Sequence, residues 1–175
     1  MATRFMNPNQ IKGMKWFLLT FALLCTAGLT LGQKAMPEAR NEIKINGFYT
    51  LAGIPEISYE RILNTETSVG ICAALAYQPY VGLQLGITPY FRWFFSKKAG
   101  EGFFLESNGA VYSVYTDPWL GEGAGVGFAM GYKMTNASGW VGEIYAGAGR
   151  NFLAGRYSYR AYPRLGFCIG RRLGS

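Results

Sequence analysis

Histidine is absent from this 175-residue chain, which removes the imidazole base of Ser-His-Asp and Cys-His catalysis and every His-based metal site. Glu56 and Glu60 come nearest to an acid–base pair, but on one face of one strand they read more simply as structural charges. The expectation is a protein that is not an enzyme, with no catalytic, cofactor-binding or metal-ligating residue. Charge is sparse as well, at 15% of residues, and the basic residues that follow the first 32 are scattered, with Lys97-Lys98 and Arg171-Arg172 the only adjacent pairs. Nucleic-acid binding wants a clustered basic patch, so no nucleic-acid partner is expected. No stretch has helical periodicity, no long segment is of low complexity, and the glycines of residues 121–131 never take the G-x-G-x-x-G spacing of a dinucleotide fold. Asn136-Ala137-Ser138 matches a glycosylation sequon, best explained by chance in a turn.

What is present begins with a separate leader. Lys12 and Lys15 precede an apolar run over 16–24, and small residues lead to Gly32. These are the basic, apolar and cleavage regions of a secretory signal peptide, residues 1–32, cut between Gly32 and Gln33. As a retained anchor, Trp16 to Leu31 is short and broken by Thr20, Thr26 and Gly28; as a lipoprotein signal the segment has a bulky Leu24 before Cys25. Loss of Arg4, Lys12 and Lys15 lowers the formal charge from +7 to +4. A short segment, 33–40, then leads into a single domain over 41–175.

Glycine is plentiful, with 24 residues, and it interleaves with apolar residues at a period of two. Val81, Leu83, Leu85 and Ile87 alternate with Gly82, Gln84, Gly86 and Thr88. Strand side chains alternate between faces, so such a segment has one oily face and one small or polar face. Eight segments of this kind follow one another: 41–50, 54–63, 67–77, 80–95, 102–114, 123–132, 140–150 and 162–172. In the first, Ile43, Ile45 and Tyr49 oppose Glu42, Lys44 and Asn46, and a tight turn at Ala52-Gly53 joins it to the second. Turns fall at Gln78-Pro79, at 97–101 and around Asp117, Pro118 and Trp119; the fourth segment ends in an aromatic cluster over 90–95.

An even set of eight strands with an oily outside predicts an all-β, antiparallel, up-and-down transmembrane β-barrel, the closed sheet that satisfies its backbone within lipid. With both termini on the periplasmic side, outer loops fall near Gly53, Pro79, Trp119 and 151–159, and inner turns near Asn64, Lys97 and Asn136. A barrel of this size has an interior just wide enough for side chains. The alternation directs Lys44, Glu56, Glu60, Arg92, Glu106, Glu143 and Arg164 into it. Buried charges must be paired, so these residues form either a structural plug of ion pairs or the lining of a gated, narrow pore. Export would permit a disulfide between Cys72 and Cys168, but both face inward from strands that are not neighbours, so two free thiols are expected.

Several of these segments resemble a family of small bacterial outer-membrane barrels without an established function. The likeness lies in residues 41–49, Ser58-Tyr59-Glu60-Arg61, Ser68-Val69-Gly70, Pro89-Tyr90-Phe91-Arg92-Trp93-Phe94, Gly102-Phe103-Phe104 and the glycine-rich sixth strand. More distantly the chain is similar to the OmpA and OmpX type of eight-stranded barrel. That resemblance implies the bacterial outer membrane as location and roles in anchoring, adhesion, envelope stability or association with larger outer-membrane machines. It carries over no ligand-binding residue. One departure is the terminus Arg172-Leu173-Gly174-Ser175, which lacks the final aromatic of barrel-assembly signals.

The functional expectation is therefore a structural or accessory outer-membrane barrel acting through protein–protein contacts in the envelope. Outer-membrane lipid and another outer-membrane protein, as in a larger complex, are its expected partners. Small outward residues, Ala73, Gly109, Ser113, Gly142, Ala146 and Ala148, would allow close approach of a neighbour. The alternatives are a narrow or gated solute channel and a soluble lipocalin-like binder with its faces exchanged.

Overall fold

A computed structural model describes residues 39–77, 83–116, 119–154 and 160–174. The expected signal peptide, its cleavage site, most of the 33–40 segment, the Gln78-Pro79 turn, the start of the fourth strand through Gly82, Asp117-Pro118 and the loop centre at 155–159 lie outside the described residues. The elements are β1 Asn41–Asn46, α1 Gly47–Leu51, β2 Glu56–Ile62, β3 Thr67–Leu75, β4 Leu83–Phe94, β5 Gly102–Thr116, β6 Trp119–Thr135, β7 Trp140–Ala154 and β8 Ala161–Leu173. Each strand pairs antiparallel with the next and β8 returns to β1, making a closed, up-and-down, eight-stranded all-β barrel.

The period-two pattern decides which face turns inward. On β2, Glu56, Ser58, Glu60 and Ile62 are buried while Ile57, Tyr59 and Arg61 are exposed. Glycine lets large interior side chains lie flat against the wall: a Cβ on Gly70 would overlap the Tyr90 ring, and one on Gly166 the Tyr145 ring. Large residues of one strand therefore fill space left by glycine on its neighbour, as close packing requires. Pro89 sits mid-strand without disrupting closure: it lies opposite Ile71 of β3, and the β4–β5 register keeps its phase from Ile87↔Val111 to Tyr90↔Asn108.

The wall is uneven. β5, β6 and β7 have 15, 17 and 15 residues, whereas β1 and β2 have 6 and 7. This corrects the first expected strand, which ends at Asn46 rather than continuing to residue 50. Its last turn is helical, so Tyr49 leaves the outward face assigned to it. The Asn46 side chain explains the change: its Oδ1 accepts from the Tyr49 backbone N–H at 3.4 Å, and Thr50 Oγ1 donates to the Asn46 carbonyl at 2.7 Å. That is the helix-initiating role for which Asn is favoured. At the other end of the chain, β6 extends beyond both expected limits, and Trp119 and Asn151 belong to strands rather than loops.

Because β1 is short, it covers only the 168–173 part of β8. Above this point α1 takes its place. Asn46 Nδ2 donates to the Leu165 carbonyl at 3.0 Å and Tyr49 Oη to the Pro163 carbonyl at 3.2 Å, so side chains satisfy acceptors that a longer β1 would have paired. Pro163 suits this edge because it has no N–H to leave unpaired there. Replacing Asn46 with alanine removes the helix cap and two buried hydrogen bonds, including 2.9 Å to Glu56 Oε1. A loss of about 1–3 kcal/mol in denaturant unfolding is the expected result.

Candidate functional site: an ion-paired interior beneath a cavity

Every strand sends at least one polar side chain to the axis. Glu60, fully buried on β2, is the centre of the array. Its Oε1 accepts from Ser68 Oγ at 2.6 Å and Lys133 Nζ at 2.7 Å; its Oε2 accepts from Arg92 Nη1 at 2.8 Å, from Tyr90 Oη at 3.2 Å and from Lys44 Nζ. Arg92 also donates Nε to Glu106 Oε2 and Nη1 to Glu143 Oε2, both at 2.8 Å, and Lys44 reaches the same Glu143 oxygen at 2.8 Å. The Arg92 guanidinium lies 4.3 Å from the Phe104 ring centroid and 4.5 Å from that of Tyr90, a favourable desolvated placement for a cation.

Above this layer Arg164 gives Nε to Glu106 Oε1 at 2.8 Å, Nη2 to Cys72 Sγ at 3.3 Å and Nη1 to Glu56 Oε2 at 3.5 Å. Below it Lys133 and Arg172 both hold Glu42, at 2.9 Å and 2.8 Å. Phe94, Phe104, Ile62 and Val141 fill the end where β1 begins and β8 ends. The structure thus gathers all seven charges named from the sequence into one connected array. It adds Glu42, Lys133 and Arg172. Glu42 already faced inward by alternation, and the other two continue the inward phases of Gly131 and Gly170. The expected sixth strand stops at Tyr132, one residue short of Lys133, and the expected inward set of the eighth stops at Gly170, one alternation short of Arg172.

The ten charges are five carboxylates and five cations, so the array carries no net charge. Full occupancy by side chains and mutual neutralisation are what a buried network needs to persist. Cys72 and Cys168 are buried and free, on β3 and β8, which do not touch in the barrel order.

The outer face has the opposite character. Leu85, Phe128 and Ile169 are 48%, 73% and 51% exposed. Aromatic residues gather at the rim where β1 begins and β8 ends, with Trp93 against Phe95 and Phe103 against Tyr132 at centroid separations of 5.3 and 5.4 Å. The small outward residues do not form one face: Ala73 is on β3 while Gly142, Ala146 and Ala148 are on β7, four strands away in a ring of eight, and Gly109 and Ser113 are on β5. Even along β7, Ile144 stands between Gly142 and Ala146 and is 61% exposed.

No protein-family model, no curated protein and no solved structure matches this chain.

At the α1 end the ion pairs give way to a half-open cavity of about 390 Å³. Its walls include Ile54, Leu83, Ala110 and Val114, with Tyr49, Thr88, Tyr112 and Tyr162 as polar lining residues and Glu56 and Arg164 facing it from the plug. Tyr162 Oη donates to Asn108 Oδ1 at 2.7 Å. Tyr49 Oη, which donates to the Pro163 carbonyl at 3.2 Å, stands on the helix side of the chamber. No group of His, Cys, Asp or Glu among the described residues has a metal-binding arrangement.

Proposed function

We propose that this chain is a bacterial outer-membrane barrel of the OmpA and OmpX type, sealed by its own side chains and serving as a structural or accessory component of the envelope through protein–protein contacts. The observation that carries the reading is the inversion of polarity across the wall: apolar residues outside, ten mutually neutralised charges inside. In water such an outer surface would drive association, since contiguous apolar patches on soluble monomers are small. In a bilayer it is the stable arrangement, with interfacial aromatics at the rim.

β1 and β2 fall short of the ~9–11 residues a spanning strand uses, and α1 supports the reading there. Its Phe48 and Leu51 are 51% and 91% exposed and continue the oily surface above β1. The swapped-face lipocalin arrangement would need Leu85, Phe128 and Ile169 inside.

Two measurements test this. The tagged chain should fractionate with outer membranes and migrate faster on gels unboiled than boiled; recovery in the soluble periplasm overturns the reading. In planar bilayers both the wild type and Arg92→Ala should be silent, whereas discrete current steps in the wild type would favour a pore. Photocrosslinking from Ala146 should then capture a defined protein rather than lipid alone.

A further inference from the structure

The floor of the cavity differs from the rest of the ion-paired interior. Every arginine and lysine of the array, Arg164 included through its Nε, holds at least one carboxylate oxygen at 2.7–2.9 Å. The Glu56 Oε2 to Arg164 Nη1 contact is 3.5 Å, at the edge of hydrogen-bonding distance, and Arg164 Nη2 is engaged by a thiol, a weak acceptor. Glu56 Oε1 is held by Asn46 Nδ2 at 2.9 Å and Tyr145 Oη at 3.3 Å, and Arg164 Nε by Glu106, so the slack lies on Glu56 Oε2 and the Arg164 Nη atoms, in residues only 4% and 3% exposed. An acceptor and a donor stand side by side at the bottom of a chamber walled by aliphatic side chains, three tyrosines and Thr88.

The geometry points to a binding site for one uncharged small molecule with an apolar, ring-sized body and a single hydrogen-bonding head, such as a hydroxyl, an amide or an aromatic amine. The head enters between Glu56 and Arg164, donating to the carboxylate or accepting from the guanidinium. The body packs on Ile54, Ala110, Val114 and the tyrosine rings. Size agrees, since pockets for small organic ligands run from about 300 to 1,000 Å³ and this cavity lies near the lower end.

Charge decides the class. The carboxylates and cations of the array already balance, so a ligand ion would bring an unpaired charge into a poorly solvated space, a costly transfer. A neutral molecule leaves the balance intact. This inference concerns the upper interior alone and does not depend on which protein meets the outer wall.

The test uses the full chain in phosphatidylcholine nanodiscs, with protein-free nanodiscs as the blank. The probes are N-phenylnaphthylamine, uncharged with one N–H, and its sulfonated relative anilinonaphthalene sulfonate. The expected result is saturable binding of one neutral probe per barrel and at least tenfold weaker binding of the sulfonate. Ala110→Phe should fill the chamber and weaken neutral-probe binding at least tenfold. Gly86→Val is the second filler: a Cβ there meets its nearest neighbours at 3.8–3.9 Å, ordinary contact, so the wall accepts it while its methyl groups project into the space. Fast-migrating, unboiled bands show that each variant has kept its barrel. No saturable binding, equal affinity for the two probes, or unchanged affinity in a folded filler variant overturns the proposal.

Discussion

Glu60→Ala should destabilise the barrel by about 3–5 kcal/mol, the usual cost of removing one partner from a buried charge network. Glu60 is completely buried and holds Lys44, Arg92 and Lys133 at once, with Ser68 and Tyr90 on its remaining lone pairs. Its loss leaves five cations facing four carboxylates around a fully buried position. Guanidinium unfolding followed by tryptophan fluorescence would measure the change. The double variant Glu60→Ala with Lys133→Ala restores equal numbers and should recover part of the loss, a coupling that separates charge balance from simple truncation. Glu56→Ala should cost less, because its ion pair is long. A Glu60→Ala effect below about 1 kcal/mol would mean that water, not the array, solvates the axis.

The second large effect contrasts two glycines on β7. Gly147 faces inward, where an added Cβ would overlap the backbone of Phe128 and Ala129; Gly142 faces outward, where nothing lies within 4 Å. Backbone cannot move aside as a side-chain tip can, so Gly147→Val should lie at or beyond the upper end of the about 1–3 kcal/mol typical of overpacking. It should reduce or abolish the fast-migrating folded form. Gly142→Val adds a β-branched residue to an open strand face, which suits it, and should fold as the wild type does. Equal behaviour of the pair would contradict the assignment of faces along β7.

Those faces were legible because alternation is a strong signal when one side is glycine or charge and the other is aliphatic. Ile57, Phe128 and Ile169 announce the outside, and Lys44, Arg92 and Glu143 the axis. The same rule would have reached Lys133 had the sixth strand been followed past Tyr132, where Lys-Met-Thr resembles an approach to the Asn136 turn. α1 was less accessible. One helical turn is too short to show a 3.6-residue period, and Ile43, Ile45 and Tyr49 continue a strand phase, so only the capping capacity of Asn46 distinguishes helix from strand. The cavity was hidden for a different reason: it results from unequal strand heights and a helix closing one side, neither of which leaves a local pattern.

The junction between β1 and β8 has a consequence for assembly. It joins the ends of the domain through six register pairs, whereas β5 and β6 share fifteen. Hairpins between sequence neighbours can form early, since local pairing closes small loops; the circle itself is completed only when the two extremities meet. That final stitch is among the two smallest in the sheet, beside the five pairs that β1 shares with β2, and it is reinforced by Asn46 and Tyr49 reaching across to carbonyls. Backbone amides of β1 should therefore exchange with deuterium before those of β5 and β6, marking where the ring parts first when heated.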